Sequence, residues 1–116
     1  MNTTEYAKVC ANALDKKHGR DVKVIDVGGK STFVDYIVLA SAGNERLLAA
    51  LVNEVEDVLA KDGLLVKHIE GKKESGWILM DYGDIIVNVL TLDMREKYNI
   101  EKIWADCDFL EWKEEN

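Results

Sequence analysis

The sequence predicts an α+β domain, with a mixed sheet of about five strands and helices mainly on one side. Three observations carry this. Apolar residues recur at helical spacing over two stretches, 3–17 and 45–61. Other stretches alternate with period two or run continuously apolar over a few residues, which is strand behaviour. Finally, 116 residues with 47% hydrophobic content suit one domain, which at that size buries roughly 60–70% of the extended chain's surface.

The first helix places Tyr6, Val9, Cys10, Ala13 and Leu14 on one stripe, with Thr3 or Thr4 as N-cap and Gly19 just past its end. Val22–Val27 then alternates as a strand, Gly28-Gly29 marks a turn, and Phe33–Ser41 forms an antiparallel neighbour. The unbroken apolar run Tyr36–Ala40 belongs in mid-sheet, covered on both faces. Asn44 caps the second helix, whose stripe is Leu47, Leu48, Leu51, Val52, Val55, Val58 and Leu59, and which stops near Asp62-Gly63. Leu64–Ile69 reads as a third strand reached by a helical crossover, right-handed if it lies parallel to the second. A polar loop from Glu70-Gly71 through Lys72-Lys73-Glu74-Ser75 follows.

Two strands then form a hairpin. A two-residue turn at Tyr82-Gly83 would pair Asp81 with Asp84, Leu79 with Ile86 and Trp77 with Asn88. One face carries Ile78, Met80, Ile85, Val87 and Val89 and reads as core. The other mixes Trp77, Leu79, Ile86 and Leu90 with Asp81, Asp84 and Asn88 and reads as a working surface. Thr91 or Asp93 caps a short helix containing Met94, Arg95 and Tyr98, and a further helical turn covers 100–105. With no proline and no low-complexity linker, a single domain is expected over 1–116, ending in an acidic, flexible tail from Asp106 onward.

The charge balance, 22 acidic against 15 basic residues for a net −7, disfavours direct nucleic-acid binding and suits a basic protein partner. No apolar run reaches the roughly 18–20 residues of a membrane span, no targeting segment is evident, and Cys10 and Cys107 lack metal-like spacing, so a reduced, cytoplasmic protein is expected. Catalytic chemistry finds little support. Asp26, Asp35, Asp81, Asp84 and Asp93 invite a divalent-metal reading, but Gly28-Gly29-Lys30-Ser31 only faintly resembles a phosphate turn and no carboxylates stand correctly spaced behind it. Asp81 and Asp84 are more simply turn-flanking residues. His18 and His68 have no triad partners, Cys10 belongs to an apolar stripe, Cys107 sits between aspartates, and no GxxxxGK[ST] or GxGxxG occurs. No cofactor, no metal and no catalytic residue is expected. What remains is a cluster of residue types enriched at interface hot spots: Trp77, Tyr82, Arg95, Tyr98 and Trp104. Arg95 and Tyr98, three apart, would share one helix face with Glu96 and Lys97 turned elsewhere.

Glu70-Gly71, then Gly76-Trp77-Ile78-Leu79-Met80-Asp81-Tyr82-Gly83-Asp84-Ile85-Ile86-Val87, then Arg95, Tyr98, Glu101 and Trp104, resemble the signature of the ribosomal silencing factor (Iojap-related) family. Val24-Ile25-Asp26-Val27 and Asp35-Tyr36-Ile37-Val38-Leu39-Ala40 extend the resemblance upstream. The chain departs from that pattern at Asn88, where the family commonly has histidine, and at Ile100, where it commonly has leucine. The resemblance implies a nucleotidyltransferase-like fold without the catalytic signature. It also implies a non-enzymatic protein that binds the large ribosomal subunit through uL14, blocks joining of the small subunit and so represses translation under nutrient limitation, with a possible homodimer. The residues it points to for partner contact are Trp77, Asp81, Tyr82, Asp84, Arg95, Tyr98, Glu101 and Trp104, to which the expected pairing adds Asn88 opposite Trp77. A dimeric adaptor built on the Trp77, Leu79, Ile86 and Leu90 face, and a magnesium-dependent enzyme using Asp35, Asp81 or Asp84, are the alternatives.

Overall fold

A computed structural model describes residues 1–114. Helix α1 (Thr3–Lys16) starts from Asn2, one residue before the threonines expected to cap it. Asn2 Oδ1 accepts from the Glu5 N–H at 2.8 Å while the Asn2 N–H donates to Glu5 Oε1 at 3.3 Å. The capping box needs a glutamate three residues on, and only Asn2 has one. Helix α2 (Glu45–Lys61) begins as expected, with Asn44 Oδ1 accepting from the Leu47 N–H at 2.8 Å.

Six strands form one mixed sheet: β1 (Arg20–Asp26), β2 (Tyr36–Ala42), β3 (His68–Glu70), β4 (Trp77–Asp81), β5 (Ile85–Thr91) and β6 (Asp108–Phe109), in the order β3-β4-β5-β2-β1-β6. β2 and β5 run parallel at the centre, and every other neighbouring pair is antiparallel. α1 and α2 cover one face, over Val22, Val24, Val38, Ala40, Ile78, Met80, Val87 and Val89. Most of the helical mass therefore lies on that side. The shorter α3 (Leu92–Tyr98) and α4 (Ile100–Ile103) reach the other face, where Met94 and Ile100 pack with Ile25, Val27, Ile37, Leu39 and Leu90.

Four expectations change. The second strand begins at Tyr36, and Phe33, 86% exposed, stands in the preceding loop. There Ser31 Oγ accepts from the N–H groups of Phe33 and Val34, so the side chain holds the backbone out of the ladder. The third strand is confined to His68–Glu70, at the sheet edge against β4 and separated from β2 by both β4 and β5. Leu64 and Val66 pack against the core as irregular chain. Gly71 follows at φ +94°, with Trp77 O so close that a β-carbon would meet it at 2.2 Å.

The hairpin turn is Gly83-Asp84, closed by Tyr82 N–H to Ile85 O at 2.9 Å, so Asp81 faces Ile86, Leu79 faces Asn88 and Trp77 faces Leu90. Gly83 at φ +90° sits at the first central position, where a tight hairpin of type II′ requires glycine. The pairing differs from expectation by two residues rather than one, so each side chain keeps its expected face.

The tail docks. β6 pairs with β1, Leu110 N–H donates to Val24 O at 2.8 Å, and the Trp112 indole donates to Val22 O at 3.1 Å while its ring packs on the core. Asn12 Nδ2 donates to Trp112 O at 2.8 Å and its Oδ1 accepts from the Glu114 N–H at 3.1 Å. Backbone bonds to the otherwise open edge of β1 offset the tail's charge. Glu115 and Asn116 lie outside the described residues. Replacing Trp112 by alanine should lower unfolding stability by about 2–4 kcal/mol in urea titrations, whereas a loose tail would leave the midpoint unchanged.

Candidate functional site

The face not covered by α1 and α2 is only partly roofed. Between the hairpin, the loop after β1 and α4 lies an apolar groove of about 300 Å³. Its floor is Ile37, Leu79, Ile86 and Asn88, one wall is Val27, Ser31 and Val34, and the other is Trp77, Ile100, Ile103 and Trp104. Ile103 is 69% exposed on the rim. Outside the wall, Tyr98 lies 4.9 Å from Trp77 between ring centroids at 45°, a tilted contact, and Lys97 Nζ lies 5.5 Å over the Tyr98 ring. The cation beside Tyr98 is thus Lys97, and Arg95 turns inward. Helical spacing identifies neighbours on a face without saying which way that face points.

Arg95 is 8% exposed. Its Nε and Nη2 donate to the two Glu101 carboxylate oxygens at 3.0 Å each, Nη1 donates to Ser41 Oγ at 2.9 Å, and Nη2 donates to Asp21 O at 2.8 Å. One guanidinium therefore joins α3, α4, β2 and the bulged start of β1. The hydrogen bonds from Arg95 hold the Glu101 carboxyl below the usual carboxylate range, against the opposing effect of partial burial. Asn99, at φ +40°, makes the corner between the two helices.

The nine positions singled out from sequence fall into three groups. Trp77, Tyr98 and Trp104 are half-buried or exposed around the groove. Asp84 is exposed and Asp81 half-buried at its end beside Asp35, and none of these three carboxylates is in an ion pair among the described residues. Asp81 Oδ1 accepts from the Gly83 N–H at 2.7 Å, as a turn-flanking residue should. Asn88, Arg95 and Tyr82 are buried, and Glu101 is tied to Arg95. Tyr82 packs on the helix-covered face, where burial, then Cys10 and Glu56, push its phenol pKa up and keep it neutral. Burial likewise raises the Cys10 thiol, which leaves it unreactive. Sequence reasoning passed over Ile37, Val27, Val34 and Ile103. A signal existed for Ile37, because an apolar run covered on both faces must give alternate residues to each.

A larger open depression of about 890 Å³ lies at the other end of β2 and β5, lined by Asn44, Arg46, Glu74, Thr91 and Asp93 among others. The helix N-termini meeting there already have caps, Asn44 and Thr91, and its carboxylates oppose an anion. Among the described residues no three His, Cys, Asp or Glu side chains are grouped to hold a metal, and no helix is long and apolar enough to cross a membrane.

Fold and site together define a small mixed-sheet protein with a prepared apolar groove. The family model described as ribosomal silencing factor during starvation matches residues 1–116. A ribosomal silencing factor of Bacillus subtilis is 35% identical over 107 residues, covering 92% of this chain and 91% of the relative. The mouse protein named mitochondrial assembly of ribosomal large subunit protein 1 is 30% identical, covering 79% of this chain and 42% of its own length. A crystal structure from Chromobacterium violaceum superposes with a TM-score of 0.86 at 28% identity, covering 90% of this chain and 88% of that one. One from Bacillus halodurans gives 0.81 at 29%, covering 94% and 99%. The chain belongs to the ribosomal silencing factor family.

The depressed Glu101 pKa gives a signed prediction. Its bond to Arg95 contributes fully above the ordinary carboxylate value of about 4.3 and is lost as pH falls through the lower folded value. Glu101→Gln should cost about 1–3 kcal/mol at pH 7, and the difference from wild type should narrow at pH 3, as read by urea unfolding at both pH values.

Proposed function

We propose that this protein is a cytoplasmic, non-enzymatic silencing factor that docks its apolar groove on a basic protein of the large ribosomal subunit and thereby excludes the small subunit. The observation that carries this reading is the groove itself, a prepared apolar surface ringed by Trp77, Tyr98, Ile103 and Trp104 and edged by the unpaired carboxylates Asp35, Asp81 and Asp84. Aromatic anchors around an apolar centre are what a protein interface uses, and unneutralised carboxylates favour a basic partner over a phosphate backbone. Family membership supplies the ribosome as target, the mouse relative's name supports the large subunit, and uL14 is the partner that the family resemblance implies. Repression of translation follows from steric exclusion, with no cofactor, no metal and little direct nucleic-acid contact. Arg95, Glu101 and Tyr82 serve this function from beneath, by holding the surface in shape.

A second reading, a homodimer, uses the same face. Ile103, Tyr98 and the groove are apolar enough to meet a second copy, and partner and copy would then compete. Light scattering on dilution reports a dimer, and added large subunits should dissociate it.

The primary test is gradient sedimentation with large subunits, small subunits and both. The protein should co-migrate with large subunits and abolish the joined particle, and a protein that stays at the top while subunits join normally rejects the proposal. Ile103→Asp should weaken binding by roughly thirtyfold, about 2 kcal/mol, with an unchanged thermal midpoint because the side chain is largely exposed in the free protein.

A further inference from the structure

The groove is apolar except at one point on its floor. Asn88 lies at the middle of β5, 4% exposed, flanked by Leu39 on β2 and Leu79 on β4. Its Oδ1 accepts from the Trp77 indole at 2.9 Å. An indole N–H can only donate, so the amide cannot be flipped, and its NH₂ must point away from Trp77. Among the described residues no acceptor takes that Nδ2, and as it is not among the fully buried unpartnered atoms it is open to the groove that Asn88 lines. Of the other polar groups of the lining, Ser31 Oγ accepts twice from its own loop at the wall and Trp77 Nε1 donates to Asn88, so Asn88 Nδ2 is the free donor on the floor. Oδ1 serves the fold by accepting from Trp77, whereas Nδ2 makes no bond that holds the chain together. The donor therefore serves something that enters the groove.

The surroundings select what that is. The walls, from Val27 and Ile37 to Ile100 and Trp104, accept apolar atoms, and a volume of about 300 Å³ suits a large side chain with its peptide group. Asp35, Asp81 and Asp84 lie two positions beyond the floor residues Ile37, Leu79 and Ile86 in the chain, so this end of the groove disfavours a carboxylate or phosphate and favours a neutral carbonyl. The same carboxylates favour basic residues beside it.

We infer that Asn88 Nδ2 donates to a main-chain carbonyl of an apolar, Lys- or Arg-flanked segment of the partner protein seated in the groove, and that Asn88 is the groove's specificity-determining residue. This rests on the docking function proposed above. Trp77 is then doubly employed, as an apolar wall and as the group that orients the reading amide.

Two variants test it, each measured as the full chain binding purified large subunits. Asn88→Leu removes the donor together with the acceptor of the Trp77 indole, and binding should fall about tenfold or more. Asn88→Asp keeps an acceptor for the Trp77 indole but loses the donor while ionised. Its burial raises that carboxyl's pKa, and the protonated acid regains an O–H donor. Binding of this variant should be about tenfold weaker than wild type at pH 8 and should recover to within about threefold at pH 5.5, relative to the wild-type profile. The wild-type profile corrects for the other carboxylates of this face, Asp35, Asp81, Asp84 and Glu101. Wild-type binding with an undiminished Asn88→Leu, or an Asn88→Asp deficit that is the same at both pH values, overturns the inference and leaves the docking function standing. Absence of wild-type binding overturns both.

Discussion

The seven-residue parallel ladder between β2 and β5 is the constraint on which the rest depends. Most of its residues are buried, with Ile86 half-buried on the groove floor, so neither strand can slip by one position without moving an apolar set from the helix-covered layer into the groove layer. Val38, Ala40, Val87 and Val89 look toward α1 and α2, and Ile37, Leu39, Asn88 and Leu90 look the other way. Small residues on the first side, Ala40 and Ala42, let the two long helices approach. Once that ladder is set, β4 must add beside β5 and β1 beside β2, and the two faces are inherited outward across the sheet.

The groove exists because the second face has too little helix to cover it. α3 has seven residues and α4 four, and Asn99 turns the chain sharply between them. Helices this short have little stability of their own, and their position comes from tertiary contacts. Arg95 supplies those contacts. A bidentate bond to Glu101 fixes α4 against α3, and bonds to Ser41 and Asp21 fix both against the sheet. Lysine could not make this fork, since it is a point charge with no planar pair of donors. The Ile100–Trp104 wall thus depends on a buried cation.

Much of this was legible in the sequence. The faces of the hairpin followed from parity, which the two-residue difference in pairing left untouched, and Asn44 and the apolar stripe of α2 were unambiguous. Other features were hidden for identifiable reasons. In the tail, Leu110 and Trp112 alternate with acids, a pattern that also describes a solvated segment, and only the open edge of β1 decides between them. Arg95 was found as a residue but misread in direction, because its acceptors come from three separate places, Glu101, Ser41 and Asp21, and no local spacing announces the last two. The groove-lining Val34 and Ile103 lie outside any regular alternation. Asn88 was noticed for a pairing with Trp77 that does not occur across the ladder, yet the two are joined by a diagonal side-chain bond.

The docked tail also changes what the sheet offers to other chains. An unpaired β1 would leave a seven-residue row of open backbone donors and acceptors, rich in valine and isoleucine, as a template for foreign strands. With the tail in place the outer strand is β6, two residues long, and the opposite edge is β3, three residues long with His68 and Glu70 in a 3.2 Å contact. Both margins are too short and too polar to extend. The acidic C-terminal segment thus covers a sheet edge that would otherwise be open to a foreign strand.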